Sequence, residues 1–312
     1  MKFTFGVDVG GTTVKLGFFT EEGELLEKWE IPTRKELKGS QILPDIAQAI
    51  TDKLSENRMT VADLNGVGMG VPGPVDQNGI VQKCVNLKWG VIDAAGELSN
   101  LLGVPVKVEN DANVAALGEA WKGAGEGVSS SIMVTLGTGV GGGLIYDGKI
   151  FSGSHGAAGE IGHICVNAQE TRKCNCGKYG CLEQYCSATG IVRMTNRALL
   201  ENKDASPLRK RKRLSAKAIF TALGEGDPLA NAIVNQVGDT LGKALAGITC
   251  TFDPERIVIG GGVSNAGKPL INAIKAGYRK YAFHATKKTE IVKASLGNNA
   301  GIYGAAALIC KN

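Results

Sequence analysis

The sequence has no long apolar run. No stretch of its 312 residues approaches the ~18 consecutive apolar residues of a membrane-spanning helix. The opening MKFTFGVDVGG has too short an apolar segment for a secretory signal, and Asp8 interrupts it. A cytoplasmic protein is expected, in which thiols stay reduced and disulfides are rare. Aromatic residues are scarce at 5%, and none falls within the dense basic run KDASPLRKRKRL, residues 203–214. Without stacking rings this run is no single-strand nucleic-acid surface. It reads as a solvated loop or helix start that carries much of the net charge of +5. No nucleic-acid partner and no membrane partner is expected.

Other absences concern motifs. No Gly-Lys-Ser/Thr follows the glycine turns, which excludes a P-loop. The turn GTGVGGG leads into strand-like LIYDG and not into a helix, which excludes the dinucleotide fingerprint. No CxxC lies beside a βαβ unit, so a redox pair is not indicated.

Glycine is abundant, at 44 residues, and it clusters at 137–143 and 260–262. Clustering of this kind suits loops that approach a ligand closely. Length allows two domains of ordinary size. FTFGVDVG and TVKLGFFT alternate as strands about the turn GGTT, a hairpin pattern. A turn and strand follow, then helical spacing over 40–57, then the apolar strand LNGVGMGV running into a Gly/Pro loop. VPVKVENDANVAALGEAWKG predicts a strand, a polar turn and an Ala-rich helix. IMVTLGTGVGGGLIY repeats the plan of FGVDVGGTTVKLGFF, which suggests an internal duplication. DPERIVIGGGVS predicts a strand ending in glycines, and NNAGIYGAAALIC a C-terminal helix. The pattern is α/β with two similar lobes and a cleft between them. The boundary is placed near residue 117.

DVGGTTVK can cradle phosphate oxygens. Gly10 and Gly11 let backbone N–H groups point inward, and Thr12 and Thr13 add hydroxyls. Asp8 at the strand end suits hydrated Mg²⁺. Lys15 either adds charge to this loop or is a surface lysine on the second strand. TLGTGVGGG, with Gly137, Thr138 and Gly139, is a second loop of the same kind. IGGGVS is a third turn, where Gly261 and Gly262 leave flat space for an adenine ring. In VENDANVAA a strand delivers Asn110 and Asp111 to a polar turn, and Asn113 is placed as the cap of the following helix. Asp111 can take a proton from a substrate hydroxyl, and in phosphoryl transfer one such base suffices. The alternative is that Asp111 only caps the helix.

HICVNAQETRKCNCGKYGCLEQYC, residues 163–186, holds five of the eight cysteines and one of the three histidines. Cys174, Cys176 and Cys181 form a CxC-x4-C group whose two glycines permit tight turns. Three thiolates and an imidazole suit a closed tetrahedral Zn²⁺ site. His163, Cys165 and Cys186 are all available as fourth ligand, and spacing does not choose among them.

Taken together, DVGGTTVKLG, GVPGPVD, VENDANVAALGE, TLGTGVGGGLI, GAAGEIGHI, CNCGKYGCLE, IGGGVS and AGIYGAAAL resemble the ROK family (repressor, open reading frame, kinase), within the actin-like ATPase superfamily of sugar kinases. The resemblance covers essentially the whole chain. It implies a two-lobed actin-like ATPase (ribonuclease H-like) fold with an interlobe cleft. Residues 1–117 would form a small lobe joined by the C-terminal helix 299–312, and 118–298 a large lobe with a zinc-binding loop. It implies Asp111 as catalytic base, and Asn110, Glu160, His163 and Glu183 as sugar contacts. DVGGTT and TLGTGVGGG match the ATP phosphate loops, and IGGGVS the adenosine side. It selects His163 as fourth ligand of a structural zinc and leaves Cys165 and Cys186 as core thiols.

The implied activity is ATP- and Mg²⁺-dependent phosphorylation of a hexose at its 6-hydroxyl. GSHGAAGEIGH looks most like the glucokinase branch, which makes glucose 6-phosphate. Kinases for N-acetylmannosamine, N-acetylglucosamine and fructose share most of the motifs and stay as alternatives. Polyphosphate is a further possible donor, to which residues 209–213 offer charge. A homodimer or higher homo-oligomer is implied. The family also includes sugar-sensing repressors with a helix-turn-helix before the first phosphate loop. Only seven residues precede Asp8 here, so an enzyme is expected.

Overall fold

Apolar alternation builds the first strands of the chain. The computed structural model describes residues 2–76 and 78–311. Strands β1 (Phe3–Val9) and β2 (Thr13–Thr20) form an antiparallel hairpin in which Asp8 pairs with Lys15 and Val9 with Val14. β3 (Leu25–Pro32) extends it on the β2 side. Phe5 stacks on Phe18 with ring centroids 4.8 Å apart, and Trp29 meets Phe5 edge-on. Helix α1 (Ile42–Glu56) buries Ile42, Ile46, Ile50 and Leu54, one face at helical spacing. β4 (Leu64–Val71) lies parallel to β1. The short β5 (Ile80–Val81) and β6 (Ile92–Asp93) pair with each other. Asp93 caps α2 (Ala94–Leu102) by accepting from the Gly96 amide at 2.8 Å. β7 (Val106–Asn110) runs parallel to β4 and passes directly into α3 (Asp111–Lys122).

Beyond α3, strands β8 (Ser130–Leu136), β9 (Val140–Tyr146) and β10 (Lys149–Ile150) repeat the opening plan. Helices α4 (Glu183–Cys186), α5 (Ala188–Glu201), α6 (Ala216–Gly224) and α7 (Pro228–Phe252) follow. Pro228 opens α7 behind the capping carboxylate of Asp227, a position where a missing N–H costs nothing. β11 (Arg256–Gly260), α8 (Lys268–Tyr281), β12 (Glu290–Lys293) and α9 (Ala300–Cys310) complete the order.

The two large sheets have the orders β3-β2-β1-β4-β7 and β10-β9-β8-β11-β12. They correspond strand for strand. An antiparallel pair, β3 with β2 or β10 with β9, precedes the central strand. Parallel strands then follow it, β4 and β7 or β11 and β12. The duplication suggested by two hairpins therefore extends to both whole sheets.

The chain divides into two compact units. The first runs to Ser129 and takes in Gly143–Gly159 and the segment from Ser295. The second holds Ser130–Gly142 and Glu160–Ala294. The sequence reading put one division near 117 and assigned 118–298 to a single lobe. Residue 117 lies inside α3, which packs whole against α9 in the first unit. Glycines make that packing close. A Cβ at Gly304 would stand 1.6 Å from the Val114 carbonyl oxygen, and one at Gly68 would stand 1.7 Å from that of Ala305. So α9 rests directly on α3 and β4, with no side chain between the backbones.

Candidate active site

The first glycine loop closes the β1–β2 hairpin. Asp8 ends β1 half-buried, with Lys15 Nζ 3.6 Å from its carboxylate. Burial pushes the Asp8 carboxyl up; Lys15 opposes this, and Glu30 adds to it. Lys15 also donates to the carbonyl of Asn298 at 3.4 Å. The Thr33 hydroxyl holds the Gly10 carbonyl at 2.7 Å, and the Thr33 amide holds that of Thr12 at 2.9 Å. The Gly10 amide does not point inward as the sequence suggested. It donates to the Thr13 carbonyl at 3.0 Å, because the turn itself consumes it. The amides of Gly11 and Thr12 have no partner among the described residues, which leaves two adjacent donors for an anion.

At the β7–α3 junction the cap is Asn110, not Asn113. Asn110 Oδ1 accepts from the amides of Ala112 at 2.9 Å and Asn113 at 3.3 Å, while its Nδ2 donates to the Gly73 carbonyl at 3.0 Å. Strand β7 ends one residue before the helix, so only Asn110 has the extended backbone that a cap requires. Asn113 is buried within the first turn and donates to Glu109 at 3.1 Å. Its Oδ1 has no partner among the described residues. Asp111 is the first helical residue and is exposed, its Oδ1 2.8 Å from the Ala112 amide.

Sequence reasoning missed Glu109. Its carboxylate accepts from the Asn110 amide at 2.7 Å, from Asn113 and, at 3.4 Å, from the Ser152 hydroxyl. With Asp76, Gln82, Ser152 and His155 it lines a polar cavity of about 370 Å³ in the first unit. Its only signal was adjacency to Asn110 and Asp111.

In the second unit His163, Cys174, Cys176 and Cys181 converge, their ligand atoms all within 4.8 Å of one another. Cys176 and Cys181 sulfurs are 3.6 Å apart. Zinc–thiolate bonds of about 2.3 Å set sulfurs at tetrahedral corners about 3.7 Å apart, so this donor set fits the ion. Burial, then the neighbouring Cys176 and Cys174 thiols, push the Cys181 thiol up to about 12. Thiolates packed this tightly repel, and a dication removes that cost. The fourth donor is His163. Cys186 is fully buried away from the cluster, with its sulfur 3.8 Å from the Val237 carbonyl. Cys165, expected as a core thiol, is exposed instead. It pairs with the buried Cys181 in an antiparallel bridge.

The same cluster reaches the other expected residues of this unit. His163 presents Nδ1 to Cys174 at 4.0 Å and Nε2 to Glu160 at 3.9 Å. Glu183 opens α4 and accepts from the Val140 amide at 3.1 Å, with Cys174 Sγ 3.9 Å from its other oxygen. A Cβ at Gly139 would fall 2.3 Å from the Glu183 carboxylate, so the second glycine loop and Glu183 are in direct contact.

That second loop spends the Gly137 amide on its own turn, to the Gly139 carbonyl at 2.9 Å. The carbonyls of Gly137 and Thr138 are held by the Ala188 amide and the Thr189 hydroxyl, both at 2.8 Å. The amides of Thr138 and Gly139 have no partner among the described residues. Gly137, Thr138 and Gly262 line a cavity of about 750 Å³ with Lys217, Phe220 and Asn265. This volume suits a nucleotide-sized ligand. Gly261 does not line it. It has φ +78°, and a Cβ there would meet the Leu136 backbone at 2.5 Å, so its role is to let the turn pass β8. Lys217, Phe220 and Asn265 carried no sequence signal, since their spacing is that of any amphipathic helix or loop.

The two topologically equivalent sheets each carry a glycine turn that keeps adjacent amides unspent. The ROK family model matches residues 4–312, and the chain belongs to the ROK family. Its fold is that family's two-lobed actin-like ATPase fold. It is 44% identical to a glucokinase from Halalkalibacterium halodurans over 97% of this chain and 94% of that protein. It is 37% identical to a glucokinase from Thermotoga maritima over 97% of this chain and 96% of that one. A ROK glucokinase from Streptomyces griseus, solved with glucose and AMPPNP, superposes with a TM-score of 0.79 at 33% identity over 99% and 100% of the two chains. No described helix is long and apolar enough to cross a membrane.

Proposed function

We propose that this protein is an ATP-dependent glucokinase that converts glucose to glucose 6-phosphate. The observation that carries the reading is likeness to glucokinases along the whole chain, with every sugar and phosphate motif present in sequence. Asp111 is assigned as general base: it takes the proton of the sugar 6-hydroxyl, and that oxygen attacks the γ-phosphorus as the bond to ADP breaks. The exposed carboxylate at the start of α3 supports this assignment. Asn110, Glu160, His163 and Glu183 are assigned to sugar hydroxyls. The Nε2 atom of His163, on the edge of the ring away from Cys174, supports its share.

ATP is assigned to the cavity lined by Thr138, Lys217, Phe220 and Gly262, with phosphate on the unspent amides of Thr138 and Gly139; in the first unit the unspent amides of Gly11 and Thr12 are likewise assigned to phosphate. Asp8 is assigned to hydrated Mg²⁺, which when bound neutralises phosphate charge. Its half-buried position and its competition with Lys15 support a carboxylate that awaits a cation. A zinc ion held by His163, Cys174, Cys176 and Cys181 would be structural, since four protein ligands would leave no position for substrate. Eight free cysteines support a reducing, cytoplasmic setting.

The test is ADP release with ATP·Mg²⁺ over glucose, mannose, fructose, N-acetylglucosamine and N-acetylmannosamine. Preference for glucose by about tenfold or more in kcat/KM is expected, since one missed hydroxyl contact is worth at least that. Preference for an acetamido sugar keeps the chemistry and replaces the substrate. Silence over the panel in zinc-replete protein overturns the reading.

A further inference from the structure

Helix α8 and the segment after it enclose a second cavity of the second unit, about 350 Å³ in volume. Lys275 and Arg279 of α8 line it, with Lys287 and Lys288 from the turn before β12. Lys275 and Arg279 are four residues apart and so share one helix face. None of these four cations has an ion pair or a side-chain hydrogen bond among the described residues. Their neighbours do. Lys280 is held by Asp239 at 3.0 Å. Glu290, the carboxylate in the lining, is held by Arg256 at 2.9 Å. The cavity shares no lining residue with the 750 Å³ cavity.

Four cations around one small cleft repel one another, and an anion that touches several at once relieves that repulsion. One phosphate group answers one or two cations, whereas a chain of phosphates answers four. The cleft offers no platform for a base. Tyr278, its aromatic residue, is 1% exposed, and its hydroxyl is spent on Thr286 and Thr249. We propose that this cleft binds a linear oligophosphate group. The group is read by charge along the chain, and it is carried by free inorganic oligophosphate or by a nucleoside triphosphate.

The experiment is calorimetric titration with inorganic tripolyphosphate and, separately, with GTP. It compares the wild type with Lys275→Gln/Arg279→Gln/Lys287→Gln/Lys288→Gln. The ATP cavity contributes equally to both proteins, so the difference reports this cleft alone. The wild type is expected to hold one more tripolyphosphate per chain than the variant, or to bind it at least about tenfold tighter. The same difference with GTP shows that nucleotides also supply the group, and a difference with tripolyphosphate alone identifies the free chain. Lys275→Arg/Lys287→Arg/Lys288→Arg, which keeps the charge, is expected to retain the extra binding. Sugar phosphorylation is expected to be unchanged in both variants, since none of these residues belongs to its machinery. If the four-fold variant melts early, Lys287→Gln and Lys288→Gln alone serve the same comparison. Identical isotherms with tripolyphosphate, or loss of binding in the charge-retaining variant, overturn the proposal.

Discussion

The Nδ1 atom of His163 lies 4.0 Å from the Cys174 sulfur, while its Nε2 lies 3.9 Å from Glu160. One ring thus joins the cysteine cluster to the Glu160 carboxylate. A metal on the first nitrogen fixes the tautomer and aims the second N–H outward. Cys176→Ser removes one of four ligands. Purified wild type is expected to carry about one zinc per chain, and the variant almost none. Sugar phosphorylation is expected to fall with the metal, by roughly 10–100-fold. Metal analysis together with ADP release checks this; full activity in zinc-free Cys176→Ser protein contradicts it.

Asp111→Ala separates binding from chemistry. The Asn110 cap survives, because its bonds to Ala112 and Asn113 are made by its own side chain. The fold and glucose binding are therefore expected to persist, while kcat falls by roughly 10²–10⁴, the usual share of a general base. Glucose binding is read by intrinsic fluorescence or calorimetry, and turnover by ADP release. A variant with near-normal turnover removes Asp111 from the role of base.

Strands, hairpins and the cysteine cluster were legible because their signals are local. Alternation around GGTT and GTG marks the β1–β2 and β8–β9 turns, and CxC-x4-C around two glycines marks the cluster of thiols. Glu109 was not legible. Its partners Asn113 and Ser152 are brought to it by helix geometry and by a segment 43 residues away. The choice between Asn110 and Asn113 as cap turned on where β7 ends, and either was compatible with the letters. The attachment of α9 rests on carbonyl-to-glycine approaches at Gly68 and Gly304, and such contacts leave no periodic trace.

Glu119 ties the segment before α9 to the C-terminal half of α3. It is fully buried, and its carboxylate accepts from the amides of Ala124 at 2.8 Å, Ser295 at 3.1 Å and Leu296 at 2.8 Å. Glu119→Ala leaves three amides without this acceptor. A loss of about 3 kcal/mol or more is expected in urea unfolding. Glu119→Gln keeps one acceptor oxygen and is expected to lose less. Equal stability of Glu119→Ala and wild type would refute the anchoring role.

Gly68→Ala tests the α9–β4 approach with a single methyl. The new Cβ would stand 1.7 Å from the Ala305 carbonyl oxygen, a backbone atom that no rotamer change can move. The helix must shift, and a cost of about 3 kcal/mol is expected from such overpacking. The same change at Gly103, where a Cβ meets nothing within 4 Å, introduces no clash and costs only the strain of its φ of +72°. Unfolding midpoints of the two variants, compared side by side, give the answer. A smaller loss at Gly68 than at Gly103 contradicts the packing argument.

Asp8 is expected to set activity against stability. Burial raises its carboxyl above the ordinary value of 3.8, with Lys15 only partly offsetting this. The folded chain therefore holds that proton more tightly than the unfolded chain does. The contribution of this group to stability is fully present below 3.8 and is lost as pH rises through its higher folded value. Above that value the ionised Asp8 is a net burden on the metal-free fold. Asp8→Asn keeps the shape and removes the charge. It is expected to melt no lower than wild type at pH 7 without Mg²⁺, and the difference is expected to shrink below pH 4. Adding Mg²⁺·ATP is expected to raise the wild-type melting temperature more than that of Asp8→Asn, and the variant's turnover is expected to fall by at least about tenfold. Melting curves over pH 3.5–8, with and without the nucleotide, test both halves. An Asp8→Asn protein that is less stable at pH 7 and equally stabilised by Mg²⁺·ATP contradicts both.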